Sequence, residues 1–566
     1  MFRKMLALCL ATVILAGMFT GCSFGAKTVN DILSEDESRE IMQTHTLVTP
    51  EEPPALCING VKAVYEKEKN QYFFTVTENE TWEALVPTLE GYTVAYQSNF
   101  EKSKKSDTLK ANRGVYLMAY NDTEYMKFCV MFTWLPVIAV TTQTLPKDYV
   151  YHDANEELDT EYDEEGEPIP YDPYAAPPED EDAPIGVYDS FAQVTVLDAY
   201  AAVHGYDNGF TTMARTHLRG RSSRNYPKNS YKIELLKEEN GTLVERNETL
   251  LGMRKDGDWN LNGMYAEPTK VRDKVAADVW LAMTADRPTS GLSTGYRCEY
   301  VEVIINNRYH GLYLLTERID RKQLGLQDGD YLYFSEGDVG KHFSQFLNLP
   351  LDDDDDTIAG YSLDYPKEMS PTVNEWAVFG ELTKTIDALN PEKFAKVAPS
   401  MIDVNSLADY EIFIQAVAAR DNLIQNTFYP ARKQADGSYK FEFLPWDLDQ
   451  TFGNRWIGEE DPLLTGEDYY GMRDHDMRFW VSDKMKVKNT GGYTDVLKAR
   501  YAQLRETVLT DEKMVQMVKD ANAKIVNSGA YSRNKTRWPY GGYSIITDSL
   551  EDFIVDRMAY VDSMYK

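Results

Sequence analysis

Asp421-Asn422-Leu423-Ile424-Gln425-Asn426 and Trp446-Asp447-Leu448-Asp449-Gln450-Thr451-Phe452-Gly453 are the two stretches on which the reading of this chain turns. Between them, Thr427–Arg432 and Tyr439–Leu444 flank Asp436-Gly437, a pattern that predicts a β-hairpin. Upstream, Leu407–Arg420 has helical spacing and would deliver Asp421 at its end. The hairpin then returns the chain, so that the two acidic stretches stand side by side. Taken singly, an Asp after a helix is a cap or a turn former, and Asp447-Leu448-Asp449 is a solvated turn. The order of the pieces weighs against that plainer reading.

An Asp, an Asn five residues later, a hairpin, then an Asp close to a Phe-Gly is the layout of a protein kinase's catalytic centre. In that layout Asp421 accepts the proton of the attacking hydroxyl. Asn426 and one of Asp447 or Asp449 hold magnesium on the nucleotide phosphates.

The chain has 566 residues, too many for one ordinary core. A hydrophobic share of 43% and 38 tyrosines point to packed globular structure. Acidic residues number 91 against 59 basic, a formal charge of −32. That field repels nucleic acid and anionic membrane surfaces. The start reads as a targeting signal, with Arg3 and Lys4 before the apolar run Met5–Met18. Phe19-Thr20-Gly21-Cys22 resembles a bacterial lipobox, which implies removal of residues 1–21, lipidation of Cys22 and a body outside the cytoplasm, anchored to the plasma membrane. Residues 22–50 then serve as a tether. Cys57, Cys129 and Cys298 remain, and a disulfide, if one forms, would join Cys57 to Cys129. The seven histidines are scattered, and no Cys/His cluster has zinc spacing.

Residues 51–134 alternate strongly in four segments and predict a small β-sandwich of immunoglobulin-like type, a spacer or partner-binding unit. Leu135–Thr142 opens the next domain, interrupted by residues 153–184, which hold 14 acidic residues and no Lys or Arg. That insertion predicts a disordered, solvated excursion, as does Asp352–Asp356. The stretch from Thr212 to Ile233 is the opposite: Arg215, Arg219, Arg221, Arg224, Lys228 and Lys232 with no acidic residue. Its loop Arg219–Lys228, between two predicted strands, offers amides, hydroxyls and cations suited to phosphates. The competing view is a basic hairpin paired with acidic neighbours. Thr269–Thr284 has helical spacing, and Tyr300–Ile305 with Gly311–Glu317 predicts a second hairpin. Helices are predicted over Val373–Leu389, Tyr493–Val508, Asp511–Ile525 and Ser549–Met564.

The motifs Arg219-Gly220-Arg221-Ser222-Ser223-Arg224 with Pro227-Lys228-Asn229-Ser230-Tyr231-Lys232-Ile233, Asn307-Arg308-Tyr309-His310-Gly311-Leu312-Tyr313 with Glu317, Asp421-x4-Asn426, and Trp446-Asp447-Leu448-Asp449-x2-Phe452-Gly453 together resemble the CotH family of spore-coat protein H kinases, over roughly 135–566. The resemblance implies an α+β fold of atypical, two-lobed protein-kinase type. It implies use of ATP and Mg2+ or Mn2+ to phosphorylate Ser or Thr on a protein at the cell or spore surface. By position, Asp421 would be the base, and Asn426 with Asp447 or Asp449 would bind the metal. Lys232 would meet the α/β phosphates. Arg219, Ser222, Arg224 and Lys228 would lie near the nucleotide, and Glu317 would hold Lys232 or border the nucleotide. Arg221 stands where many relatives carry Asn. The competing function is a non-catalytic surface adhesin or coat-assembly scaffold that keeps the fold.

Overall fold

The computed structural model describes residues 32–97, 113–151, 184–220, 222–287, 291–335, 357–358, 360–367, 372–423, 425–454, 479–541 and 548–566, with 172, 174–176 and 370. The signal segment with Cys22, Arg221, Asp352–Asp356 and nearly all of 153–184 lie outside these residues. The class is α+β, as expected: among the described residues four sheets are present, and the C-terminal half adds most of the helices. Among the described residues no helix is long and apolar enough to cross a membrane.

The central unit is a closed ring of seven strands. They are β1 (Val137–Thr142), β2 (Ser190–Leu197), β3 (Phe210–Arg219), β4 (Ser230–Glu239), β5 (Asp258–Asn262), β6 (Cys298–Ile305) and β7 (Arg308–Thr316). Around the ring the order is β1-β2-β3-β4-β5-β7-β6, with β6 returning to β1 in parallel. Closure is made by β4 and β5, Tyr231 opposite Leu261 and Ile233 opposite Trp259. Alternate residues fill the inside: Val140, Val194, Val196, Tyr231, Ile233, Trp259, Leu261, Val303, Tyr313 and Leu315 form one apolar cluster. The β6–β7 hairpin turns at Asn306 and Asn307, at φ 48° and 60°, left-handed positions that Asn tolerates.

The ring's outer face is divided three ways. Helix α1 (Arg272–Thr284) covers Cys298, Tyr300, Leu312 and Leu314, with Val275, Val279 and Met283 buried as its spacing predicts. The N-terminal unit covers Val137, Leu197, Ile304 and Tyr309, and Phe73 stacks on Tyr309 at 5.3 Å. The rest, on β3, β4 and β5, is polar, with Arg215, His217 and Arg219 beside Lys232, Glu234, Asp258 and Asn260.

The N-terminal unit differs from the sandwich expected. Its main sheet contains parallel pairs, Glu124–Thr133 running alongside Gln71–Thr75, with Cys129 opposite Gln71. An immunoglobulin sandwich is antiparallel. All of Gln71–Thr75 is buried, so this strand is central and covered on both faces. Cys129 is a free thiol, so the Cys57–Cys129 pairing that the sequence allows is not made. The tether is also corrected: Glu35–Thr44 is a helix, capped where Ser34 and Glu37 bond reciprocally, and Ile41 is buried.

The C-terminal half is built on a second sheet containing β8 (Tyr331–Ser335), β9 (Tyr361–Tyr365), β10 (Thr427–Lys433) and β11 (Tyr439–Phe441). The predicted hairpin is β10–β11, with Gly437 at φ 86° in its turn. Helix α2 (Val404–Val417) is buried along its length and stops at Ala418, φ 51°, three residues before Asp421.

Candidate active site at the seam of ring and helical half

Asp421 begins a single 3-10 turn, Asp421–Leu423, directly after α2. Its two carboxylate oxygens are held separately: Gln425 Nε2 donates to Oδ1 at 2.5 Å, and Asn426 Nδ2 donates to Oδ2 at 2.7 Å. Burial raises its pKa, the two amides pull it down, and Asp447 pushes it up again. Asn426, at φ 54°, leads into β10, and its carbonyl accepts the Trp446 N–H at 2.9 Å. The two acidic stretches therefore meet through the main chain, as the hairpin reading required.

Asp447, also at φ 54°, opens to solvent on one side while dense protein on the other raises its pKa; Arg219 opposes that shift. Asp449 is raised well above the usual carboxylate range by burial, then by Asp447, Asp273, Asp421 and Glu267. Asp273 is the member that the sequence did not announce. It lies in the first turn of α1, where an acidic residue reads as complementing the helix dipole. Tyr296 donates to its Oδ1 at 2.8 Å and Asn262 to its Oδ2 at 2.9 Å. Burial, then Asp447, pushes its pKa up to about 6, against the bonds from Tyr296 and the Leu448 N–H.

The ring contributes Arg219, whose guanidinium stands 5.5 Å from the Trp446 ring, with Tyr296 against the same indole at 4.6 Å. Lys232 shares the outer face with Arg219, about 7 Å further along the strands. Its charge lowers the pKa of both Asp189 and Asp258. Tyr226, which feels Asp449, stacks on Tyr265 at 5.3 Å beside the same acidic group.

Two candidates, Lys228 and Glu317, stand elsewhere. Lys228 is buried, donating to the Leu312 carbonyl and, at 2.9 Å, to Asn534 Oδ1. It staples helix α3 (Ala530–Arg537) to β7 rather than facing the acidic groups. Glu317 accepts the Arg254 N–H at 2.7 Å, the Arg297 N–H at 2.8 Å and Gln323 Nε2 at 3.1 Å. It clamps three segments, and the carboxylates beside Lys232 are Asp189 and Asp258. Arg224 belongs to the 3-10 turn Ser222–Asn225, where its carbonyl accepts Asn229 Nδ2 at 2.9 Å. The backbone of Ser222 is in that turn, and its side chain lies outside the described residues.

Asp273, Asp421, Asp447 and Asp449 with the Asn426 amide are a hard-oxygen set whose mutual repulsion a divalent cation would relieve. Among the described residues no three Asp, Glu, His or Cys side chains form a ready metal cage. Magnesium commonly takes one or two carboxylates and completes its shell from phosphates and water, so this donor set fits it.

Comparison with known proteins bears on the family of the chain. A stretch of 244 residues is 23% identical to the inner spore coat protein H of Bacillus subtilis (strain 168), covering 43% of this chain and 59% of that protein. The match thus spans less than two thirds of the relative's length. The family profile described as CotH kinase protein matches residues 216–561, which takes in every described group of the seam, and this chain is a member of the CotH family.

Proposed function

We propose that the chain is a phosphotransferase that moves the γ-phosphate of ATP to Ser or Thr of a protein at the cell or spore surface. One observation carries this reading: cationic Arg219 of the ring and the carboxylates Asp421, Asp447 and Asp449 converge on one seam. Phosphoryl transfer needs positioning and charge neutralisation more than covalent help. Asp421 accepts the proton of the acceptor hydroxyl, its carboxylate aimed by Gln425 and Asn426. Arg219 and Lys232 hold phosphate oxygens along the polar face. Asn426 with Asp447 or Asp449 would hold Mg2+ or Mn2+, which supplies neutralisation of charge on the transferring group.

The test is transfer of label from radioactive ATP by the full chain, with Mg2+ or Mn2+, to itself or to a mixed Ser/Thr protein substrate. Asp421→Asn keeps size and polarity. Its turnover should fall about two to four orders of magnitude with ATP affinity nearly unchanged, since a base acts in the transition state. Wild-type turnover in a folded Asp421→Asn chain would remove Asp421 from the chemistry. A wild type that neither binds ATP nor transfers phosphate would leave the scaffold reading in its place.

A further inference from the structure

Asn422 stands between the two acidic stretches and has no role so far. It is 1% exposed. Its side-chain amide donates to the Asn426 carbonyl at 2.8 Å and to the Trp446 carbonyl at 2.9 Å. Both partners are acceptors, so the nitrogen must face them. The two carbonyls lie where the backbone turns left-handed, at Asn426 itself and at Trp446 just before Asp447. Asn and Asp tolerate left-handed backbone better than other residues with a Cβ, and these bonds help hold the two turns in it.

The Trp446 N–H bond to the Asn426 carbonyl continues the pairing of Thr427–Phe428 with Leu444–Pro445. The Asn422 amide adds one bond across to the Trp446 carbonyl and one within its own stretch, to the Asn426 carbonyl. Asn422 is in turn anchored from α2, where Tyr410 donates its hydroxyl to the Asn422 carbonyl at 2.8 Å. Its Oδ1 is buried without a hydrogen-bond partner.

We infer that Asn422 is a positioning residue, fixing Asn426 against Asp447 so that the two acidic loops act as one site. This inference rests on the phosphotransferase reading for its consequence in turnover, but its structural content can be tested without it. Asn422→Ala should speed amide hydrogen exchange at residues 425–428 and 444–449, and raise the Mn2+ concentration at half-saturation of the nucleotide-free chain by about 10-fold or more. Turnover should drop by about 10²-fold, the usual scale for groups misplaced by an ångström. Leu504→Ala, a cavity in the helix Tyr493–Thr507, which supplies no residue of the site, is the control for lost stability alone. It should leave exchange in the two loops and the Mn2+ midpoint unchanged. Asn422→Ser, which keeps one donor, gives intermediate values and serves should Asn422→Ala not fold. Wild-type exchange and Mn2+ binding in these variants would overturn the inference. Absence of phosphate transfer by the wild type would remove the function proposed above while both other measurements still decide on Asn422.

Discussion

Asp273 is a carboxylate buried between a tyrosine, an asparagine and a neighbouring Asp447. Its pKa rises from 3.8 to about 6 in the folded chain. The sign follows from which form the fold prefers. The protonated acid is favoured, so its contribution is complete below about pH 4 and is lost as pH rises through about 6. The stability of the wild type relative to Asp273→Asn should therefore fall between pH 4 and pH 6.5, by about 3 kcal/mol at most. Thermal melts of both proteins across that range provide the check, and a constant difference would remove Asp273 from the account. Mg2+ should raise the melting temperature more at pH 7 than at pH 5, because cation and protons compete for the same carboxylates. That Asp421 and Asn426 come together with Asp447 was legible, because a hairpin between the two stretches returns the chain. Asp273 was not, since its partners come from 11 and 23 residues away and its own position looks like a helix start.

At the scale of elements, two lysines four residues apart do different work. Lys232 lies in β4, and strand parity puts it on the outer face with Arg219. Lys228 lies in the loop before β4, where no period tells which way a side chain turns, and it is buried against Leu312 and Asn534. Lys228→Met should lower stability by about 1–3 kcal/mol, because it leaves the buried Leu312 carbonyl without its donor. ATP affinity should be unchanged. Lys232→Ala should do the reverse. Denaturant midpoints and ATP titrations of the two variants separate them, and a loss of ATP affinity in Lys228→Met with normal stability would refute the assignment. Hairpins were legible from Asp436-Gly437 and Asn306-Asn307, whose residues suit their turns. The pairing of β4 with β5 that closes the ring was not, because turn chemistry says nothing about partners joined through an intervening strand and loop. The capping box Ser34-x-x-Glu37 was a readable helix start inside a segment taken for a tether.

For the whole molecule, the N-terminal unit is part of the fold and not a spacer. It seals a buried ion pair, in which Arg533 Nε and Nη2 donate to the two Glu302 oxygens at 2.8 and 2.7 Å, and Nη2 also reaches Thr133 Oγ1 at 3.3 Å. Tyr309 donates to the same Glu302 at 2.6 Å, under the stacked Phe73. A fragment of residues 135–566 would uncover Val137, Leu197, Ile304 and Tyr309 and wet this pair. It should lose on the order of 5 kcal/mol, a large part of a domain's total stability. Urea unfolding of fragment and full chain measures this, and equal midpoints would restore the spacer reading. The full chain is thus the right material for kinetics. If Cys22 carries a lipid as its resemblance to a lipobox implies, Cys22→Ser should shift the protein from the cell pellet into the medium. Retention in the pellet at the wild-type level would count against a lipid anchor.

The same ion pair has a consequence in time. Thr133 and Arg533 are 400 residues apart, and Glu302 lies 231 before its partner. While the chain is being made, the N-terminal sheet and the ring are complete long before Arg533 exists. Through that interval Glu302 waits as a lone charge beside apolar strands. Contacts so remote form late and slowly. The molecule's first half therefore cannot reach its final packing until nearly its last helix has been released. A chain cut short anywhere before Arg533 should be recognisable to proteases as unfinished.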